Sequence, residues 1–318
     1  MRKALDPAIR PMTAADLAEG RRICNAAFGT FLGAPDPENF WSDLDYIYGR
    51  FGAEHVASFA AELDGQLVGS NFATRWGSVA FFGPLTMRPA QQGRGLGKAL
   101  VEAVSNQFEE WGVRLGGLCT FPHSPLHIAL YNKLGFRARF LTPIMEAPAS
   151  PTGDAGAWSR YSALPDGERA AVEAACRELT DMLYEGLDLG AEIRTVQARG
   201  LGDTLLLWEG DSRLAGFAVC HWGPASEAGE GRCFVKFAAV RPGSGDAVRF
   251  ESLLDACSSL AATVAMPNVL AGVNLAREEA YLHMASRGFR AAMQTVAMHR
   301  PNEPGYSRPG LYVLDDWR

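Results

Sequence analysis

The sequence predicts an α/β (α+β) chain of two tandem domains, each a mixed, mostly antiparallel sheet flanked by helices. Its 318 residues exceed one average domain and suit two. Helical stretches are interspersed among paired strands, which favours this class over a doubly wound parallel sheet. The second half also echoes the first. Asp64-Gly65-Gln66-Leu67-Val68-Gly69 reappears as Asp211-Ser212-Arg213-Leu214-Ala215-Gly216, Arg88-Pro89 as Arg241-Pro242, and Leu134-Gly135-Phe136-Arg137 as Arg287-Gly288-Phe289-Arg290. The period, about 150 residues, is that of a duplicated domain and far longer than a solenoid repeat.

Taken in order, Ile9-Arg10-Pro11 ends a first strand. Thr13 caps a helix, with Asp16 at its third position and Leu17, Ile23, Ala26 and Phe28 at roughly helical spacing. Strands over 57–62 and 67–75 flank Leu63-Asp64-Gly65-Gln66, and an Asp-Gly pair between apolar runs marks a hairpin. A third strand runs from Ser78 to Met87 and stops at Arg88-Pro89, because proline cannot continue a central ladder. A glycine-rich loop then leads into a helix with Leu100, Val104, Phe108 and Trp111 on one face and Gly112 at its end. A strand over 115–121, a helix over 125–134 closed by Gly135, and a strand over 136–145 follow.

Residues 148–157 are rich in Pro, Gly and small side chains and read as a linker between a first domain, 1–147, and a second, 158–318. The second domain opens with a strand-like stretch from Trp158 and a helix carrying Val172 and Leu179. A hairpin turning at Glu209-Gly210-Asp211-Ser212 and a strand from Phe234 to Val240 come next. Residues 300–318 end in Trp317-Arg318 and read either as an arm docked on the body or a partner, or as a loose tail.

Composition narrows the function classes. Lys and Arg number 30 against 36 Asp and Glu, and the net charge of -6 argues against a nucleic-acid surface. The six cysteines include no C-x-x-C pair; they read as reduced, mostly buried thiols, and no metal site is expected. The opening MRKALDPAIRP lacks the apolar core of a secretory signal, and no run approaches the ~20 apolar residues of a membrane span. The expectation is a cytoplasmic protein with neither a nucleic-acid nor a membrane partner; oligomer formation stays open.

Chemistry concentrates in Leu85-Thr86-Met87-Arg88-Pro89-Ala90-Gln91-Gln92-Gly93-Arg94-Gly95-Leu96-Gly97-Lys98, a strand, a glycine loop and a helix start. Glycines let backbone N–H groups approach a phosphate, and the helix N-terminus adds a positive end. Arg94 and Lys98 bring further positive charge. A Walker A loop fails, since Gly97-Lys98 is followed by Ala99. A dinucleotide fingerprint fails too, because Lys98 stands where its third glycine belongs.

The segment resembles the GNAT superfamily of acyl-CoA N-acyltransferases. That family's signature, [QR]-x-x-G-x-[GA] at a strand-to-helix junction, is matched by Gln92, Gly95 and Gly97. Leu130-Tyr131-Asn132-Lys133-Leu134-Gly135-Phe136 is similar to the family's closing helix-turn-strand motif, and the likeness covers roughly residues 8 to 146. The resemblance implies a tandem GNAT-like chain with acetyl-CoA as cosubstrate and a primary amine of a small molecule or peptide as acceptor. It implies that residues Leu85 to Met87 pair with the pantetheine arm and acyl carbonyl, and that Gln92 to Lys98 hold the diphosphate. A backbone N–H near Met87 would support the oxyanion.

By the same resemblance Tyr131 is the general acid that protonates the departing thiolate, a role a phenol with pKa near 10 can fill; the alternative is a packing or cofactor-positioning role. The family often supplies a glutamate base beside the cleft, yet 81–87 contains no acidic residue. His123 is the candidate base, with a loop hydrogen bond as its alternative role; Glu62 and Asp45 are further candidates. Ser124 replaces the family's common Asn seven residues before the tyrosine and keeps one donor. The second half has no matching loop: Asp246 stands where phosphates would sit, and Met284 where Tyr131 stands. That half is expected not to bind acyl-CoA. The other functions in view are a non-catalytic acyl-CoA-binding regulatory module and a transferase using a different acyl-CoA.

Overall fold

Asp64 and Gly65 both adopt positive φ (52° and 77°), the geometry a two-residue hairpin turn needs. They join β2 (Val56–Leu63) to β3 (Gln66–Trp76), as expected from the sequence. The computed structural model describes residues 7–150, 157–210 and 213–318. The predicted turn residues Asp211 and Ser212, and 151–156 of the predicted linker, lie outside the described residues.

β1 (Pro7–Pro11) pairs with β2. Next, the Asp16 carboxylate accepts from the Thr13 N–H (2.7 Å) and from Arg10, which steers the chain into α1 (Leu17–Leu32). The first half continues with β4 (Val79–Phe82), β5 (Thr86–Met87), α2 (Leu96–Glu110), β6 (Leu115–Thr120), α3 (Pro125–Lys133) and β7 (Arg137–Pro148). The second half comprises β8 (Ala157–Arg160), α4 (Asp166–Leu183), α5 (Gly190–Ala198), β9 (Gly202–Glu209), β10 (Arg213–Gly223) and β11 (Gly229–Val240). It ends with α6 (Asp246–Thr263), β12 (Asn268–Gly272), α7 (Glu278–Ser286), β13 (Arg290–Arg300) and β14 (Val313–Asp315).

Among the described residues fourteen strands form one sheet, ordered β1-β2-β3-β4-β6-β13-β7-β12-β11-β10-β9-β8, with β5 on β3 and β14 on β11. The β4–β6 and β11–β12 pairs are parallel and the others antiparallel. The sequence does not announce that the two halves share this sheet. They exchange a strand: β13 of the second half lies between β6 and β7, and β7 of the first lies between β13 and β12. Burial follows the same plan. One core joins Trp76, Val79 and Phe81 of the first half to Leu179, Phe217 and Phe237 of the second, with Trp317 of the tail docked among them. All six cysteines are free thiols, and all but Cys119 are fully buried.

Candidate active site

The stretch 78–87, predicted as one strand, is two pieces, β4 and β5. Gly83 N–H donates to the Phe72 carbonyl (2.9 Å) and Thr86 lies opposite Ser70, so Pro84 and Leu85 together face the single residue Asn71. That is a β-bulge. One ladder bond is lost there. Phe72 N–H donates instead to Asn71 Oδ1 (3.0 Å), and the Gly83 carbonyl accepts from Arg50 Nη1. Past the bulge, Arg88 N–H donates to the Val68 carbonyl (2.7 Å). Bonded and non-bonded pairs alternate in an antiparallel ladder, so the N–H and C=O of Met87, opposite Gly69, point away from β3. On that side β6 pairs only with Val79, Ala80 and Phe81. The strands part at the bulge and leave the Met87 backbone facing the gap between β5 and β6, with Leu85 half-buried and Thr86 buried beside it.

The Met87 side chain packs on Leu96 and Leu100, which seats α2 against β5. Gln92, Gly93, Arg94 and Gly95 are exposed, and Gly93 and Gly95 adopt positive φ (77° and 84°). A Cβ at either glycine would meet nothing within 4 Å, so it is backbone conformation, and not space, that calls for glycine there. Among the described residues no side chain caps α2, so the first N–H groups of the helix, at Leu96, Gly97 and Lys98, stay available to an anion. Lys98 pairs with Glu102 one turn on (2.6 Å), whereas Arg94 makes no ion pair among the described residues.

Tyr131 lies on α3 in one cluster with Ala73, Ala80 and Phe82, against which Leu85 packs. Its ring meets that of Phe82 edge-on at 5.7 Å, so the structure brings Tyr131 to the bulge. Burial pushes its phenol well above the usual range and keeps it protonated at neutral pH. Its hydroxyl makes no hydrogen bond among the described residues and is not one of the polar atoms sealed from solvent. Ser124 caps α3, its hydroxyl oxygen accepting from the His127 N–H (3.4 Å). His123 is exposed and stacks on Phe31 of α1 at 5.7 Å; Phe121 and His127 complete that aromatic group. Burial, with His123 nearby, lowers the pKa of His127.

The two other candidate bases are engaged. Glu62 binds Arg10 (2.8 Å). Asp45 is buried, and its Oδ1 accepts from the Ile47 and Tyr48 N–H groups (2.7 and 2.8 Å); burial still raises its pKa. A further set of charges was not visible in the sequence. Glu227 binds Arg50 through both oxygens (2.8 and 2.9 Å) and also takes Lys236 (2.9 Å). Lys236 reaches Glu192 (3.1 Å), which accepts from Trp76 Nε1 and lies 3.0 Å from His55 Nε2. All of these are under 7% exposed. No local spacing marks the Arg50–Glu227, His55–Glu192 and Trp76–Glu192 contacts, whose partners stand 177, 137 and 116 residues apart.

The second half shows the same frame with its openings filled. Arg241 N–H donates to the Ala215 carbonyl (2.8 Å), matching Arg88 and Val68. β12 pairs with β11 at Arg232 to Val235, and β14 takes the edge beyond, at Phe237 to Ala239. Val240, the counterpart of Met87, donates its N–H to the Tyr312 carbonyl (3.3 Å). At the start of α6, Asp246 accepts from the Gly243 and Ala247 N–H groups (3.2 and 2.8 Å).

The family model described as the acetyltransferase (GNAT) family matches residues 22–136. No curated protein matches the chain by sequence. A putative acetyltransferase from Pyrococcus horikoshii is 15% identical with a TM-score of 0.68, covering 96% of this chain and 93% of its own. A GCN5-related N-acetyltransferase from Sphaerobacter thermophilus is 18% identical with a TM-score of 0.57, covering 92% and 95%. A tandem GNAT protein from the clavulanic acid biosynthesis pathway is 14% identical with a TM-score of 0.56, covering 92% and 98%. The chain therefore carries an acetyltransferase (GNAT) family domain in its first half and folds as tandem GNAT proteins do.

Proposed function

We propose that the chain is an N-acetyltransferase that moves an acetyl group from acetyl-CoA to a primary amine of a small molecule or peptide, by direct attack in a ternary complex. The family implies acyl transfer from acyl-CoA. The observation that carries the reading is two sets of backbone donors left unused: the Met87 N–H beyond the bulge and the uncapped N-terminus of α2. Exposed amides at Gly93 and Gly95, with Arg94 and Lys98 beside them, suit a diphosphate. The Met87 N–H suits the negative charge that develops on a thioester carbonyl. Tyr131, protonated and unbonded, suits proton delivery to the departing thiolate. The second half is proposed not to bind acyl-CoA, since Asp246 and β14 take the equivalent donors and edge.

Release of free CoA from acetyl-CoA across an amine panel tests the activity. Tyr131→Phe is expected to lower kcat by roughly 10- to 10⁴-fold. An unchanged kcat across the pH range would remove Tyr131 from the acid role. Binding of acetyl-CoA without turnover on any amine would replace the enzyme with a binding module.

A further inference from the structure

At the bulge, which also holds Pro84, two side chains that the general reaction does not explain take up the groups of the lost ladder bond. In a regular ladder Phe72 N–H would donate to the Gly83 carbonyl. Here Asn71 Oδ1 takes the donor and Arg50 Nη1 satisfies the acceptor. Asn71 is fully buried and Arg50 is 2% exposed. A buried guanidinium needs a countercharge, and Glu227 supplies it with both oxygens, from the loop before β11 in the second half. Arg50 Nη2 also donates to the backbone oxygen of Arg318, next to Trp317, whose ring stacks on Phe81 of β4. Three groups of the second half thus converge on the strand that opens the cleft.

We propose that Arg50 and Asn71 are positioning residues for acyl transfer, and that Glu227 makes the second half their anchor. The inference rests on the acyl-CoA reading above. By holding both ends of the broken ladder bond apart, the pair keeps two residues opposite one. This sets the register in which Arg88, and not Met87, bonds to β3. Were the bond restored, the strand would lose its bulge, and a one-residue change of register turns the Met87 N–H from the cleft to β3. The second half then has a function although its own cleft is filled: it holds the neighbouring cleft in shape through the Glu227–Arg50 ion pair.

The glycine loop lies outside this device, which gives a selective test. Binding of acetyl-CoA and of its fragment 3′-phosphoadenosine 5′-diphosphate is measured by calorimetry on the full chain. Thermal unfolding of each variant serves as the folding control. Arg50→Lys is expected to weaken acetyl-CoA by about tenfold or more while the fragment changes by no more than about twofold. Asn71→Ala, an uncharged change that frees the Phe72 N–H to re-form the ladder bond, is expected to give the same selective loss and serves where Arg50→Lys does not fold. Equal losses for both ligands, or none for either, in a folded variant would overturn the proposal. A wild-type chain that binds neither ligand would overturn the acyl-CoA reading instead.

Discussion

The two halves of the molecule start from one plan and end differently. In each half an Arg-Pro pair closes the strand, and its arginine N–H bonds to the neighbouring strand at matched positions, Val68 and Ala215. The residue before it then points its own N–H outward. In the first half that residue is Met87, facing the gap where β6 has parted from β4. In the second it is Val240, which gives its N–H to Tyr312 while β14 runs along the same edge. The helix starts differ likewise: α2 begins uncapped, and Asp246 caps its own loop ahead of α6. A backbone opening persists only where no part of the chain can satisfy it. The open edge and the plugged one are two outcomes of one hydrogen-bonding requirement.

The largest expected effect comes from the tail that separates the two outcomes. The Trp317 indole fills the space that a Cβ on Gly117 would occupy, stacks on Phe81 and donates to the Tyr306 hydroxyl (2.8 Å). Trp317→Ala should cost about 3–5 kcal/mol of stability in denaturant titration. A loss under about 1 kcal/mol would mean that the tail is not part of the shared core. Next, Gly97→Asp places in α2 the kind of charge that α6 already has, at a position whose Cβ meets only the Met87 side chain at 3.8 Å. Acyl-CoA binding should fall about 100-fold, which is ~2.7 kcal/mol. Asp246→Ala should leave binding as it is, because β14 still covers the second cleft.

A smaller effect concerns pH. His221 is buried with both ring nitrogens unbonded, beside Lys236, and burial lowers its pKa to about 4. The unfolded chain takes up that proton near pH 6.5, so the stability linked to His221 is complete above 6.5 and is lost as pH falls toward 4. At pH 5 the loss is about 2 kcal/mol, and His221→Asn should remove it from the difference between unfolding free energies at pH 7 and pH 5. An unchanged difference would contradict the assignment. The smallest effect is at Lys98. Its pair with Glu102 is exposed, so Lys98→Ala should change stability by under about 0.5 kcal/mol while weakening acyl-CoA by a few-fold. Comparable changes in both would mean that Lys98 does not face the ligand.

These outcomes also mark what the sequence made legible. The Asp64-Gly65 turn, the glycine loop, the Leu100-Val104-Phe108 stripe and Tyr131 are local patterns, and the structure carries each in the expected element. The bulge went unread although Gly83-Pro84 interrupts the run from Val79 to Met87, and proline inside a ladder marks a bulge; residue counting alone does not show that two face one. Helix α5 buries Glu192 and Thr195 among its inward residues, so it lacks a clean apolar stripe. Strand exchange, the β14 plug and the Arg50–Glu227 pair depend on contacts between distant segments, which leave no local trace. Tyr131 and the loop are local patterns, whereas Arg50, Asn71 and Glu227, which meet at the bulge, are not.

The most direct test of the account is the number and place of acyl-CoA molecules bound per chain, read by calorimetry and a crystal structure of the complex. One is expected, with its diphosphate at the start of α2 and its thioester beside Met87. A second molecule at α6, or a single one bound only there, would contradict it.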